Sequence, residues 1–311
     1  MMIIFAIIQA FLVILVAPFL IGWVRLCKAR LQGRHGASPL LPYYTFLTLM
    51  KKEIVFSTNA SWVFRTVPFV VLGTTVFAAA VLPLLTLEGI SPLSHFVLIS
   101  GILALGSVFL VLGGLDSGSA FGGMGASREM TIAALVEPAF FVTLAGFGLG
   151  SGTAMVSLMI GNGVVGWVVH PGLALSLAAL VLVSLAENAR YPVDNPATHL
   201  ELTMVHEAMI LEYSGPYLAL LELASWTKLT VFVLLIGSFL LPSTYLLAGV
   251  DYTLVGLGMA VGALVVKLIV LGGALALLET SIAKMRFFRM QEYLAYAFVL
   301  GVAGLIITLI V

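Results

Sequence analysis

Five carboxylates, Glu187, Asp194, Glu201, Glu207 and Glu212, fall within residues 187–215, where Arg190 is the only cation. They are five of the chain's 14 acids, and long apolar runs flank them on both sides. An ionised carboxylate in such surroundings costs free energy unless it is paired, hydrated or protonated. The chemistry that suits a file of such groups is the stepwise movement of protons or other cations. Four further ionisable residues, Glu137, Glu222, Lys228 and Lys267, interrupt apolar runs. A midplane lysine costs about 2.5–3.5 kcal/mol on insertion scales, so each should face the bundle and meet an acid. The candidate pairings are Lys228 with Glu222, and Lys267 with a carboxylate on a neighbouring helix. A structural salt bridge accounts for any one of these residues. The whole set favours a relay of Glu137, Glu187, Asp194, Glu201, Glu212, Glu222, Lys228 and Lys267.

The elements that hold this file follow from its breakers. Pro192 and Pro196 end the helix that closes near Ala186. Asn195 caps a new helix with Pro196 in its first turn, and Ser214-Gly215-Pro216 stops it. The spacing predicts a helix over 196–213, about 27 Å long at 1.5 Å per residue. Glu201 and Glu212 would share one face, and so would His199 and His206. A solvated loop is the alternative, but Leu200, Leu202, Met204, Val205, Met209, Ile210 and Leu211 are too apolar for one. The histidine spacing does not match the i, i+4 pairs of helical zinc sites, so no metal is expected.

The rest of the chain is membrane-like. Of 311 residues, 61% are hydrophobic and only 9% charged, against roughly 25% charged in soluble domains. This is an all-α, polytopic integral membrane protein in the lipid bilayer. Its zero net charge argues against nucleic acid as a partner. Runs of about 20 apolar residues lie near 2–24, 64–87, 93–115, 130–150, 164–186, 217–241, 254–278 and 292–311, which predicts eight transmembrane helices in one membrane domain, 1–311. The first run has no basic leader region and reads as a retained span. Twelve of the 14 cations lie between helices one and two, three and four, five and six, or seven and eight, or at the ends of those helices. Those loops, near 25–63, 116–129, 187–216 and 279–291, are therefore cytoplasmic, and both termini face outward. Cys27 is the single cysteine, so the chain has neither an internal disulfide nor a four-thiolate iron–sulfur cluster. Electrons, if they matter, travel on another subunit. His95 and His170 fall at outer ends of spans and read as interfacial histidines rather than haem ligands.

Two loops carry further signals. R-x-Q-x-R-x-G (Arg30, Gln32, Arg34, Gly36), preceded by Arg25, says more than positive charge alone. The glycine-rich GLDSGSAFGGMGASRE holds Asp116, Arg128 and Glu129 and lacks a Walker lysine. It reads as an ordered turn against a partner subunit.

These motifs together resemble subunit 1 of respiratory complex I, the membrane subunit that joins the two arms of that NADH dehydrogenase, and its relatives. The match runs through Ala186-Glu187, Arg190, Pro192, Asp194, Pro196, Glu201-Leu202 and Glu212-Tyr213-Ser214-Gly215, with R-x-Q-x-R-x-G near the first helix. GLDSGSAF, GASRE and Val136-Glu137-Pro138 look most like the formate hydrogenlyase and hydrogenase-4 branch. The resemblance implies a non-catalytic coupling subunit of a cytoplasmic (inner) membrane oxidoreductase complex, with no cofactor of its own. Its expected partners are hydrogenase-like peripheral subunits carrying iron–sulfur clusters and a Ni–Fe site, and antiporter-like membrane subunits. Glu137, Glu187, Asp194, Glu201, Glu212 and Glu222 match family acids that lead inward from the junction, and Lys267 resembles a lysine of the seventh helix. Arg25, Arg30, Gln32, Arg34, Asp116, Arg128, Glu129 and Arg190 would form the docking junction or a quinone-like cavity. The chain departs from the pattern at Ala197 and His199, at Ala37 after Gly36, and at Thr45 and Thr48. It also has about three extra residues between Glu201 and Glu212. Two other readings stay open, a quinone-binding subunit of an NADH dehydrogenase-like complex and a stand-alone ion transporter.

Overall fold

The computed structural model describes residues 2–56, 60–83, 93–163, 170–194, 205–240, 254–282, 285 and 287–310. Among them are eleven helices: α1 (Met2–Leu31), α2 (Leu41–Met50), α3 (Trp62–Val81), α4 (Phe96–Asp116), α5 (Ala120–Ser151), α6 (Val156–Gly163), α7 (Pro171–Glu187), α8 (His206–Ile210), α9 (Gly215–Leu240), α10 (Leu254–Ser281) and α11 (Phe287–Ile310). Seven, α1, α3, α4, α5, α9, α10 and α11, are long and apolar enough to cross a membrane. The expected fifth span is the shorter α7, 17 residues long. Pro171 in its first turn sets its start, where a missing N–H costs nothing. The protein is a multi-pass membrane protein.

The first basic loop is shorter and more ordered than the hydropathy reading suggests. With 30 residues, α1 reaches about 45 Å, beyond the roughly 30 Å hydrocarbon layer, so Arg25, Lys28 and Arg30 ride on a helical extension. The chain turns at Gly33 (φ +70°) and runs back along α1. The Arg34 N–H donates to the Ala29 carbonyl at 2.8 Å, Gly36 lies against Leu26 and Ala29, and the Tyr43 hydroxyl donates to the Leu15 carbonyl. Helix α2 packs on α1 and α9, and the chain then reaches Ser214, whose hydroxyl accepts the Val55 N–H at 2.8 Å. The described residues of 25–63 are thus mostly helix and packed return segment rather than open loop.

The second correction concerns 116–129, where only residues 117–119 separate α4 from α5. The Ser119 hydroxyl accepts the Gly122 N–H at 3.1 Å and starts the helix, as an N-cap does. The run of glycines hides this start, because glycine usually marks a turn. Here Gly125 instead allows a close approach: a Cβ there would meet the Val205 carbonyl and the Ala208 side chain at 2.9 Å. The glycine-rich segment therefore seats α8 of the same chain.

Small residues also close the seam where α11 packs on α5 and α7. A Cβ on Gly304 would fall 2.5 Å from the Ser176 hydroxyl and 2.8 Å from the Gly172 carbonyl. Helices in lipid associate by such close packing rather than by hydrophobic exclusion. Gly304→Val is expected to destabilise the bundle by about 1–3 kcal/mol or more, read as a lower thermal midpoint in detergent. Gly273→Ala, where an added Cβ meets nothing within 4 Å, is the neutral control.

Candidate functional site: an ionic cluster at the end of the bundle

The segment Glu187-Asn188-Ala189-Arg190 is built around a helix stop. Helix α7 ends at Glu187. The Arg190 N–H donates to the Leu185 carbonyl at 2.8 Å and the Ala189 N–H to Ala186 at 3.0 Å, the paired bonds of a Schellman stop. Its left-handed residue is Ala189 (φ +46°) where glycine is usual, a strain of about 1–2 kcal/mol. The turn sends Glu187 and Arg190 to different partners.

Glu187 Oε1 lies 2.7 Å from Lys228 Nζ on α9, and the Ser107 hydroxyl of α4 stands 3.5 Å from the same carboxylate. The predicted pairing of Lys228 with Glu222 is therefore wrong: six residues apart on one helix point in different directions, and the acid ending α7 takes the ammonium instead. A cavity of about 40 Å³ opens beside the pair, with Glu129, His206 and Ser107 in its wall. Glu129, assigned to a docking loop on sequence, is half-buried on α5 and lies within the electrostatic reach of Lys228, Glu187 and Asp194. Glu137, two turns further along α5, interacts with Glu187 and Lys228.

A second, larger cavity of about 600 Å³ lies between α1 and α9. Arg25, Gln32, Arg34 and Arg190 border it with Asp194 and Glu222, so half of the predicted junction set surrounds one vestibule. Arg30 is exposed and outside that lining. Asp194 is buried. Among the described residues, the two cavities share Asn188, Ala189, His206 and Ser225 in their walls. Burial, reinforced by Lys228 and opposed by Asp194, pushes the His206 imidazole down to about 4. It is therefore neutral near pH 7, with one donor and one acceptor nitrogen.

Arg190 turns to a group that the sequence reading does not single out. Glu279, at the end of α10, is 4% exposed. It meets Arg190 Nη1 at 3.4 Å through Oε1 and Lys28 Nζ at 2.7 Å through Oε2. Burial lowers the Arg190 guanidinium from its usual value, and Glu279 offsets that shift. This clasp ties α1, the turn after α7 and α10 together. The available signal is weak: a single glutamate ending an apolar helix, with no local partner.

The helix expected over 196–213 is only partly comparable. Residues 195–204, with Glu201 and His199, lie outside the described residues. Helix α8 ends at Ile210, and Leu211-Glu212 form an exposed turn. The stop comes early because Tyr213 must be buried. Its ring stacks on Phe64 at 3.9 Å, and Gly215 (φ +55°) lies so close to the chain that a Cβ would be 2.6 Å from the Glu53 carbonyl. Tyr213-Ser214-Gly215 is thus a clamp, and it leaves Glu212 facing outward, away from the Glu187–Lys228 cluster.

Three other predicted residues stand apart. Lys267 is buried at 4% exposure on α10 beside Gly237, and among the described residues it forms no ion pair, contrary to expectation. The Asp116 carboxylate accepts the N–H groups of Ser61 and Phe64 at 2.8 and 3.1 Å, capping α3. Arg128 lies on α5 and lines neither cavity. His95 Nδ1 accepts the Val97 N–H at the start of α4, a capping role. No group of three or more metal-ligating side chains occurs among the described residues.

A sequence profile of the NADH dehydrogenase family matches residues 3–310. The chain is similar to formate hydrogenlyase subunit 4 of Escherichia coli (strain K12), at 31% identity over 92% of each chain. It is similar also to hydrogenase-4 component C of the same organism, at 31% identity over 78% of this chain and 76% of that one. Among solved structures, a chain of the membrane-bound sulfane sulfur reductase, an archaeal respiratory membrane complex, superposes with a TM-score of 0.80. It is 18% identical, over 97% of this chain and 99% of that one, so this likeness concerns the fold.

Proposed function

Since the chain belongs to the NADH dehydrogenase family, we propose that it is the membrane anchor and coupling subunit of a complex I-like oxidoreductase of the nickel–iron hydrogenase type. It sits in the cytoplasmic membrane. The relatives are named for formate hydrogenlyase and hydrogenase-4, which supports a hydrogen-evolving or hydrogen-consuming assembly. In this reading, peripheral subunits on the basic side carry the iron–sulfur clusters and the Ni–Fe site, antiporter-like subunits complete the membrane arm, and this chain has no catalytic residue.

The observation that carries the coupling role is the Glu187–Lys228 ion pair at 2.7 Å, set in the wall of the small cavity that shares residues with the vestibule. An ion pair that can exchange its proton or its partner converts a local charge change into ion movement. Glu129, Glu137, Asp194 and Glu222 extend the cluster on either side. A redox change in the docked arm would alter the field at the vestibule, and the carboxylates would respond by releasing or taking up a proton or sodium ion.

A second reading has its own support: about 600 Å³ is within the usual range for ligand pockets, and Arg25, Gln32 and Arg34 suit a quinone headgroup. One preparation separates the readings. Mild solubilisation from native membranes is expected to recover this chain with large soluble oxidoreductase subunits, and redox turnover in vesicles should drive ion uptake unaffected by quinone-site inhibitors. Inhibition by those ligands would favour the quinone module. Recovery of the chain alone, with ion transport intact, would replace both readings with a stand-alone transporter.

A further inference from the structure

We infer that His206 is the proton-transfer link between the outer vestibule and the inner Glu187–Lys228 pocket. The inference rests on the relay reading above and names a residue for its narrowest step.

The two cavities have wall residues in common. Of the four described residues that line both, Asn188, Ala189, His206 and Ser225, only the imidazole can accept a proton on one nitrogen while releasing one from the other. Carboxylates able to give or take a proton stand on both sides. On the vestibule side stand Asp194 and Glu222, together with Glu207, the next residue in the chain. On the inner side stand Glu129 of α5, Glu187 of α7 and the Lys228 ammonium of α9. Among the described residues, Arg25, Lys28, Arg34, His35 and Arg190 are the vestibule's other charged and titratable groups.

The helix that carries His206 is held in place. Helix α8 buries Ala208, Met209 and Ile210, and its docking on α5 depends on the close approach at Gly125. The Tyr213 clamp fixes the segment on its other side. The imidazole therefore has the polar neighbours of a relay and the packing of a wall. A neutral resting ring suits the step. It takes a proton from a protonated vestibule carboxyl or a hydronium at one nitrogen. The imidazolium then gives up the proton on its other nitrogen to the inner carboxylate. Exchange of the two nitrogens by ring rotation, or by the reverse proton path, restores the starting tautomer. One proton crosses the wall, and no bond between heavy atoms changes.

The sequence contains a hint that spacing alone does not interpret. His206-Glu207 opens α8, twelve residues after Asp194 and 22 before Lys228. Only the turn of α8 onto α5 and α4 brings it between them.

The test compares the intact complex in sealed vesicles for the parent chain, His206→Ala, His206→Gln and Glu187→Gln. Redox turnover and ion uptake are measured side by side. His206→Ala and His206→Gln are expected to keep redox turnover within about twofold and to lower ion uptake at least about tenfold, a typical size for removal of a proton-transfer group. Added imidazole should restore a large part of the His206→Ala uptake and none of the Glu187→Gln uptake. A purely structural role would not be rescued by a small base. His206→Gln keeps the volume and a hydrogen-bonding group, so it covers the case in which alanine disturbs packing. Normal uptake in both His206 variants, or lost uptake that imidazole does not restore, overturns the inference, and the relay survives if Glu187→Gln still abolishes uptake. Normal uptake in Glu187→Gln overturns the relay itself.

Discussion

Replacing Glu187 with glutamine is expected to lower redox-driven ion uptake at least about tenfold, with redox turnover of the assembled complex changing by less than about threefold. The physical basis is the 2.7 Å contact with Lys228. Glutamine keeps the shape of the side chain and cannot ionise, so the ammonium on α9 loses its counter-charge inside an apolar helix. Removing one partner of a buried pair typically costs about 3–5 kcal/mol. The side chains here are 11% and 17% exposed, so the loss should fall at or below the low end of that range. The stability effect and the transport effect separate in the double variant. Glu187→Gln with Lys228→Met removes the orphaned charge and should regain most of the detergent thermal midpoint, while ion uptake stays low. If both variants transport ions at the parent rate, the pair is a structural salt bridge and the relay assignment is wrong.

Glu279→Ala should have the largest effect on stability. This carboxylate has no exposed side-chain surface and meets two cations, Lys28 and Arg190. Its loss strands a guanidinium that is already partly desolvated, and the cost should be about 3–5 kcal/mol. The expected readout is a much lower yield of folded protein and a thermal midpoint several degrees below the parent. Arg190 should carry more of the penalty than Lys28, because the Lys28 side chain is the more exposed of the two, 18% against 13%, and can turn to solvent. Glu279→Gln with Arg190→Gln is therefore expected to be more stable than Glu279→Ala alone. An alanine variant as stable as the parent would show that the clasp carries no net energy.

Much of the site is legible in the chain, and the limits follow from physical rules. The acids between 187 and 215 stand out because ionised groups are rare beside membrane-spanning runs. The R-x-Q-x-R-x-G stretch reads as part of a junction, and Gln32 and Arg34 do border the vestibule. The pairing of Lys228 with Glu222 fails because it looks for partners along one helix. The acid that satisfies Lys228 ends another helix, 41 positions away in the sequence. Glu279 gives no local signal for the same reason, since its partners are 251 and 89 residues distant. The glycine-rich run before Arg128 misleads differently. Glycine signals a turn when only local conformation is considered, whereas here its missing Cβ makes room for α8.

The sequence alone determined that this protein lives in a membrane and that its long helices number about eight. Each of those follows from composition and run length, properties summed along the chain that need no knowledge of neighbours. Its motifs also pointed to the family. The tertiary structure alone decided which acid faces which base, that Glu212 looks outward, that Asp116 caps a helix, and that His206 stands between two cavities. Those outcomes depend on the directions in which side chains leave packed helices. In a low-dielectric interior a few ångströms decide whether a charge is paired, and linear spacing does not encode that distance between helices.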